Sequence, residues 1–401
     1  MVDYADALRT VLERTPPASD RRDVPLSEAL GRALAVDICS DVDIPPFDRS
    51  GMDGFAVRAA DLAITPVSLT VVGTVPAGGA LGRRIGAGEA AAVMTGAPVP
   101  EGSDAVVQVE WTSGFGAAAV TIERAVAAGD NVSPKGQILR AGVTVLRAGT
   151  AIGVEEISLL AAAGCDPVPA RPLPSVAVLS TGDELVPPSA VPGPWQIRNV
   201  NGPALAAFCR SLGLSPAVLG VVPDDPPSIR EALARALEHD VVLMTGGVSE
   251  GAFDYVEDTL GAAGVEIGFR RVAIKPGKPT VFGTRGGSIL FALPGNPASA
   301  MTVARILVEP ALRRRMGFAA TGPRRIRARL SADLRKKTDR AWFIRGELSA
   351  GDPLEVRPIA GHGAADIAGA ADGDCLIHAP REKAFLERGT AVDVVVWGRS
   401  R

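Results

Sequence analysis

Lys275 and Lys278 stand three residues apart around a Pro-Gly turn, in Lys275-Pro276-Gly277-Lys278-Pro279, directly after the apolar run Val272-Ala273-Ile274. Two ammonium groups carried by one turn suit an anion with several charged oxygens. A second stretch points the same way. Val241 to Met244 are four consecutive apolar residues that read as a buried strand, running into Thr245, Gly246, Gly247, Ser249 and Gly251 before a helix-like segment from Asp254. Glycines there let backbone N–H groups approach an oxygen closely, and a helix N-terminus adds partial positive charge. The spacing is neither a dinucleotide fingerprint nor a Walker loop, so alone it indicates phosphate or another polar ligand. Two further apolar runs end similarly: Ser175–Ser180 in Thr181-Gly182-Asp183-Glu184-Leu185, and Ile289–Ala292 in Leu293-Pro294-Gly295-Asn296-Pro297. In an open parallel sheet such loops gather at the carboxyl ends of the strands, where ligands bind.

The elements that would position these loops alternate between strand and helix from 173 to 317. Ala217–Val222 reads as a strand, and Ile229, Leu233 and Leu237 share one face of a helix over 228–239. That alternation predicts a mostly parallel sheet covered on both faces. Pro310 should kink or restart the helix that closes the region. Earlier, Tyr4, Ala7, Leu8, Val11 and Leu12 fall at helical spacing over 3–14, stopped by Thr15-Pro16-Pro17. This stripe needs cover, for which a second subunit is one source. A second helix is expected from Ser27 with Leu30 and Leu34 inward, and residues 140–172 read as helix around Ile157, Leu159 and Leu160. Between them, short Val, Ala and Thr segments punctuated by Gly and Pro suggest small β units. After about 320 period-two alternation predicts a small barrel. The expected fold class is therefore α/β multidomain: a helical linker segment (1–47 and 140–172), a β-rich insertion domain (48–139), a central αβα three-layer domain (173–318) and a C-terminal small β-barrel (319–401).

The chain of 401 residues is too long for one ordinary core. A net charge of −3 and only 4% aromatic residues disfavour a nucleic-acid surface, which wants basic patches and stacking rings, and an acidic membrane surface. No apolar run approaches the length of a membrane span. Cys39, Cys165, Cys209 and Cys375 are isolated, and no signal peptide opens the sequence, so reduced thiols in a cytoplasmic protein are expected. His239, His362 and His378 lie far from any metal-ligand spacing, which makes a zinc site improbable.

Six stretches in order, Ser50–Ala56 (SGMDGFA), Thr95–Pro98 (TGAP), Ser180–Leu185 (STGDEL), Gly246–Asp254 (GGVSEGAFD), Lys275–Pro279 (KPGKP) and Leu293–Pro297 (LPGNP), resemble the molybdopterin molybdenumtransferase family, the molybdenum-inserting enzymes related to the gephyrin E domain. The resemblance covers nearly the whole chain. It implies a homodimer that uses magnesium, cleaves adenylylated molybdopterin and places molybdate on its dithiolene, releasing AMP and molybdenum cofactor. A molybdopterin adenylyltransferase would supply the substrate and molybdoenzymes would receive the product. Backbone N–H groups from Gly246 to Gly251, with Lys275 and Lys278, would cradle the pyrophosphate link. Glu184, Asp254 and Asp53 are the carboxylate candidates, Asp53 across the dimer cleft, and Asp224 or Asp225 at a strand end is a further one. Of these, Glu184, Asp254 and Asp224 are the metal candidates. Thr95, Pro294, Gly295, Asn296 and Pro297 join Gly246, Gly247, Ser249 and Gly251 as binding residues, and Arg345 would face the cleft from the barrel.

Each assignment has a structural alternative. From spacing alone Asp53 reads first as a turn aspartate bonding its own backbone; Thr95–Pro98 also reads as a plain hairpin, Glu184 as a helix-dipole residue and Asp254 as a helix cap. Lys275 and Lys278 read as solvated turn lysines, and Arg345 as an exposed strand-end arginine. The chain also departs from the family pattern. Gln137 and Ile138 stand where the family commonly has two acids, and Ala364 where it often has a hydroxyl. These departures leave open a second function, a catalytically weak paralogue that holds and delivers molybdenum cofactor.

Overall fold

The apolar run Val241–Thr245 is buried along its whole length because it is an inner strand of a six-stranded sheet. In order the strands are Ala217–Val222, Val176–Thr181, Val241–Thr245, Ser288–Leu293, Pro279–Arg285 and Glu266–Arg271. The first four run parallel, Pro279–Arg285 runs antiparallel to them, and Glu266–Arg271 pairs antiparallel with Pro279–Arg285, so the sheet is mixed. The computed structural model describes residues 1–246, 259–336, 338–359, 363, 366 and 373–397. They divide into two units, one of 1–36, 148–153 and 169–401, the other of 37–147 and 154–168.

Period two sorts the strand residues onto the two faces of the sheet. Val178, Leu243 and Phe291 join Leu205 and Phe208 of the helix Asn201–Ser211 in one core. Leu179, Met244 and Ala292 meet Ile229 and Leu233 of the helix Pro226–Ala236 in the other. This is the expected three-layer arrangement. The helix Tyr4–Arg14 buries Tyr4, Ala7 and Val11 in the first of these cores, so its apolar stripe is covered within its own chain. Pro310 acts as expected: between the helices Pro297–Val303 and Glu309–Arg315 lies a π-helical turn, Ala304–Val308. Proline has no N–H to donate and its ring crowds the carbonyl four residues back, which widens the preceding turn.

Two helical expectations give way to extended backbone. From Ser27 there is only a 3-10 turn, Leu26–Glu28, and Leu30 is 62% exposed although Leu34 is buried. The N–H groups of Gly31 and Leu34 donate to Ile152 O and Thr150 O, so non-local pairing takes the donors a helix would have used. In the stretch 140–172 the helix is confined to Val154–Ala162, and Thr144–Leu146 is instead a strand paired with Ile38–Cys39.

The barrel is closed by five strands. Ala341–Ser349 pairs with Glu355–Pro358, and the circle continues through Arg325–Leu330, Ala391–Val396 and Cys375–Ala379 back to Ala341–Ser349. Leu330, Ile344, Val356, Ile377 and Val394 fill it. A two-residue strand, Ile274–Lys275, adds in parallel to Ala341 and Trp342, which ties the lysine turn to the barrel. The other unit carries a five-stranded sheet in the order Ala105–Gln108, Gly54–Val57, Glu89–Val93, Val67–Val75, Ala119–Ile122. No helix among the described residues is long and apolar enough to cross a membrane.

Candidate active site

Register brings the strand ends level. Ser180 pairs with Thr245 and Thr245 with Leu293, so Thr181, Gly246 and Pro294 leave the sheet side by side. Gly246 has φ +93°, and a Cβ there would stand 2.1 Å from Thr181 O, so only glycine fits. Beneath this rim, Asn199 Nδ2 and Thr245 Oγ1 both donate to Ser180 Oγ, at 3.1 and 3.3 Å. Asn201 Nδ2 donates to Gly295 O at 2.7 Å, fixing the Pro-Gly-Asn turn. Two buried oxygens here, Thr181 Oγ1 at a strand end and Asn201 Oδ1 at the start of the helix Asn201–Ser211, have no hydrogen-bond partner among the described residues. Buried polar atoms are rarely left unpaired, and at a ligand site they mark where a ligand donor or a cation can bind.

A cleft of about 400 Å³ opens beside the rim and collects Lys275, Lys278, Pro294, Asn296 and Arg345, five of the residues expected from sequence. The lysine turn is pinned by Thr280 Oγ1, which donates to Gly277 O at 2.8 Å. Lys275 Nζ lies 5.1 Å from the centroid of the Trp342 ring. Arg345 is no exposed strand-end residue: its side chain is 15% exposed and its guanidinium donates to Asp366 O at 3.0 Å and to Asp366 Oδ2 at 3.1 Å. Pro297 begins the helix that borders the cleft, and Gly295 lies in the turn before it.

Among the cleft residues that escaped sequence reasoning, four carry a polar or indole side chain. Arg340 and Trp342 bracket the start of the barrel strand Ala341–Ser349, while Ser299 and Thr302 face the cleft from the helix after Pro297. The i, i+3 spacing of Ser299 and Thr302 was a usable signal. Arg340 and Trp342 carried none, because their role depends on pairing with a distant strand.

The carboxylates are distributed. Glu184 is exposed, its carboxylate folded back over Gly182, where an added Cβ would come within 2.7 Å of Oε2. Asp224 is exposed, and its N–H donates to Asp183 Oδ1 at 3.0 Å. Asp225 caps the helix Pro226–Ala236, accepting from Ser228 N, which lowers its carboxyl below the usual range. Among the described residues no three His, Cys, Asp or Glu side chains form a metal cluster. Gly247, Ser249, Gly251 and Asp254 lie outside the described residues, as does Ala364.

In the second unit, Asp53 Oδ1 accepts from Thr95 N at 2.6 Å and from Thr95 Oγ1 at 2.7 Å. Asp53 thus binds the backbone of the Thr95–Pro98 turn, and the two predicted residues meet. Gly54 is required for the same approach of strands, since a Cβ there would overlap Val107 O at 1.9 Å. Where the two expected acids are replaced, Gln137 N donates to Pro134 O at 3.1 Å and Ile138 is 62% exposed.

Residues 2–164 match the family described as "MoeA N-terminal region (domain I and II)", 177–314 the "Probable molybdopterin binding domain", and 327–397 the "MoeA C-terminal region (domain IV)". A relative from Staphylococcus aureus, named molybdopterin molybdenumtransferase, is 34% identical over 381 residues, 93% of this chain and 90% of its own. A Nostoc relative of the same name is 35% identical over 405 residues, covering 98% and 92%. This chain belongs to the molybdopterin molybdenumtransferase family. A solved family structure, the molybdopterin biosynthesis moeA protein of Pyrococcus horikoshii OT3, superposes with a TM-score of 0.85 at 30% identity, over 99% of this chain and 100% of that one. A second structure from the same organism gives 0.82 at 33% identity. Within this molybdopterin molybdenumtransferase fold, the lysine turn and the Pro-Gly-Asn turn both belong to the segment matching the molybdopterin-binding domain, and Arg345 belongs to the C-terminal region.

Proposed function

We propose that the chain inserts molybdate into adenylylated molybdopterin, cleaving the pyrophosphate link and releasing AMP with molybdenum cofactor. The observation that carries this reading is the convergence of Lys275, Lys278 and Arg345 on one cleft beside the strand ends. A pyrophosphate link bears several negative charges, and fixed cations around it neutralise charge on the phosphoryl oxygens as the bond to AMP breaks. Arg345, oriented by Asp366, brings a permanently charged guanidinium to the cleft, which suits an oxyanion.

Magnesium is the proposed metal. Thr181 Oγ1 and Asn201 Oδ1 are buried oxygens without a partner among the described residues, and Glu184 is a carboxylate beside Gly182; hard oxygen donors of this kind suit a hydrated magnesium ion. Glu184 would hold it, with Asp224 and, from the resemblance, Asp254. When bound, the ion polarises phosphoryl oxygens. The lysines bind and orient the substrate, and the rim of Thr181, Gly246 and Pro294 bounds its position. The role of Asp53 in the reaction is proposed from the resemblance. So are the homodimer, the supply of substrate by a molybdopterin adenylyltransferase and delivery to recipient molybdoenzymes, while the cytoplasmic setting is proposed from the isolated cysteines.

The reading is tested by AMP release from adenylylated molybdopterin, comparing the unmodified protein with the variant carrying K275A and K278A. The variant should bind at least about thirtyfold more weakly, the loss expected from two charge-assisted contacts. Unchanged affinity would remove the phosphate cradle. Gln137 and Ile138 favour a second reading, a weakly catalytic protein that binds and delivers the cofactor. It predicts tight binding without AMP release.

A further inference from the structure

We propose that Trp342 is a positioning residue: its indole face holds the Lys275 ammonium at the place in the cleft where the substrate's phosphate must lie. This rests on the reading of the cleft as a phosphate site. Lys275 and Trp342 are direct partners in the parallel pairing of Ile274–Lys275 with the barrel strand, so their side chains leave neighbouring backbones. Lys275 Nζ is 5.1 Å from the ring centroid, within the range of attraction between a cation and an aromatic face.

The junction around them is fixed. Ala341 N donates to Ala273 O at 3.0 Å and Arg340 Nη1 to Ile274 O at 3.1 Å, so three consecutive barrel residues grip the strand that carries Lys275. The next residue, Phe343, is stacked on His378 at 4.8 Å and met edge-on by Tyr4 at 4.9 Å. Trp342 therefore cannot drift without disturbing a packed aromatic group. A lysine has a long flexible stem, and immobilising it is costly at the moment a ligand binds. An aromatic face that holds the ammonium in advance removes much of that cost, which is preorganisation. A planar ring does so without adding an anion that would compete with the substrate. Trp342 thereby makes the barrel part of the anion site of the αβα domain.

The test uses the full-length protein. Lysine labelled with 13C at Cε reports the ring current: one ε-methylene resonance, assigned by its loss in K275A, should be shifted upfield, should return to the ordinary position in W342A, and should keep part of its shift in W342F. Inorganic pyrophosphate, titrated by calorimetry, reports the consequence. W342A should weaken its binding about three- to tenfold, W342F should fall between W342A and the unmodified protein, and W342A should cause no further loss in the K275A background. No upfield resonance, no pyrophosphate binding by the unmodified protein, equal losses in W342F and W342A, or an additive loss with K275A would each overturn the proposal. AMP release is absent from this test, so failure of the transferase reading and failure of this inference are separately visible.

Discussion

Asp53 and Thr95 are bound to one another twice, through the N–H and the hydroxyl of Thr95 on a single carboxylate oxygen. The backbone bond, then the hydroxyl bond, hold the Asp53 carboxyl below its usual range. A carboxyl whose folded value is depressed supports its bonds above the ordinary aspartate range and loses them only as pH falls through the lowered value. The Thr95 amide resonance should therefore keep its bonded position at about pH 3.9, where a solvated aspartate is half protonated, and move only in stronger acid. In D53A it should sit at the unbonded position throughout. A midpoint at or above that of a solvated aspartate would contradict this.

Thr181 Oγ1 is buried and has no hydrogen-bond partner among the described residues. Removing an unsatisfied hydroxyl costs the fold nothing, so T181V should be as stable as the unmodified protein, or more so, in urea unfolding. If the hydroxyl is there for the ligand, the same variant should bind adenylylated molybdopterin about three- to tenfold more weakly. Lower stability with unchanged affinity would assign Thr181 to the fold alone.

How far the sequence could carry this site depends on which residues were neighbours along the chain. The run Val241–Met244 and its glycine ending announce a buried strand and a close backbone approach, and Gly246 meets Thr181 O as that pattern requires. Lys275 and Lys278 are legible because one turn holds both. The Asp53–Thr95 bond joins residues 42 apart, and the Lys275–Trp342 contact depends on a strand from a different domain, so neither leaves a local pattern. Leu30 and Leu34 show the opposite failure. Their helical spacing is real, but the N–H groups of Gly31 and Leu34 find partners at Ile152 and Thr150, and tertiary pairing overrides the local pattern.

His378 is stacked on Phe343 and faced by Tyr4, and its Nδ1 has no hydrogen-bond partner among the described residues. Burial, reinforced by the nearby Arg325 charge, pushes its pKa down to about 4. Between the ordinary histidine value and about 4 the unfolded chain binds a proton that the folded chain does not, so stability falls as pH drops through that window and levels off below it. The loss attributable to His378 should reach about 2–3 kcal/mol. In H378F, urea unfolding at pH 7 and pH 4.5 should differ by correspondingly less. An unchanged pH dependence would show that His378 does not set it.

The Arg345 and Asp366 side chains are 15% and 5% exposed, and the guanidinium meets the carboxylate at 3.1 Å. Removing the carboxylate in D366A leaves a mostly buried guanidinium without it and should cost about 1–3 kcal/mol in urea unfolding. R345A should cost a similar amount and also weaken oxyanion binding, which calorimetric titration with pyrophosphate would show. Equal pyrophosphate affinity in R345A and the unmodified protein would remove Arg345 from the cleft's chemistry.

The central claim is that this cleft both binds adenylylated molybdopterin and completes the insertion, despite Gln137 and Ile138. The most direct measurement incubates the purified protein with adenylylated molybdopterin, magnesium and molybdate, and quantifies in one reaction the AMP released and the cofactor able to activate an apo-molybdoenzyme. Equal amounts of both products, lost together in the variant carrying K275A and K278A, are the predicted result. Tight binding with no AMP would contradict it and leave a protein that holds the cofactor without making it.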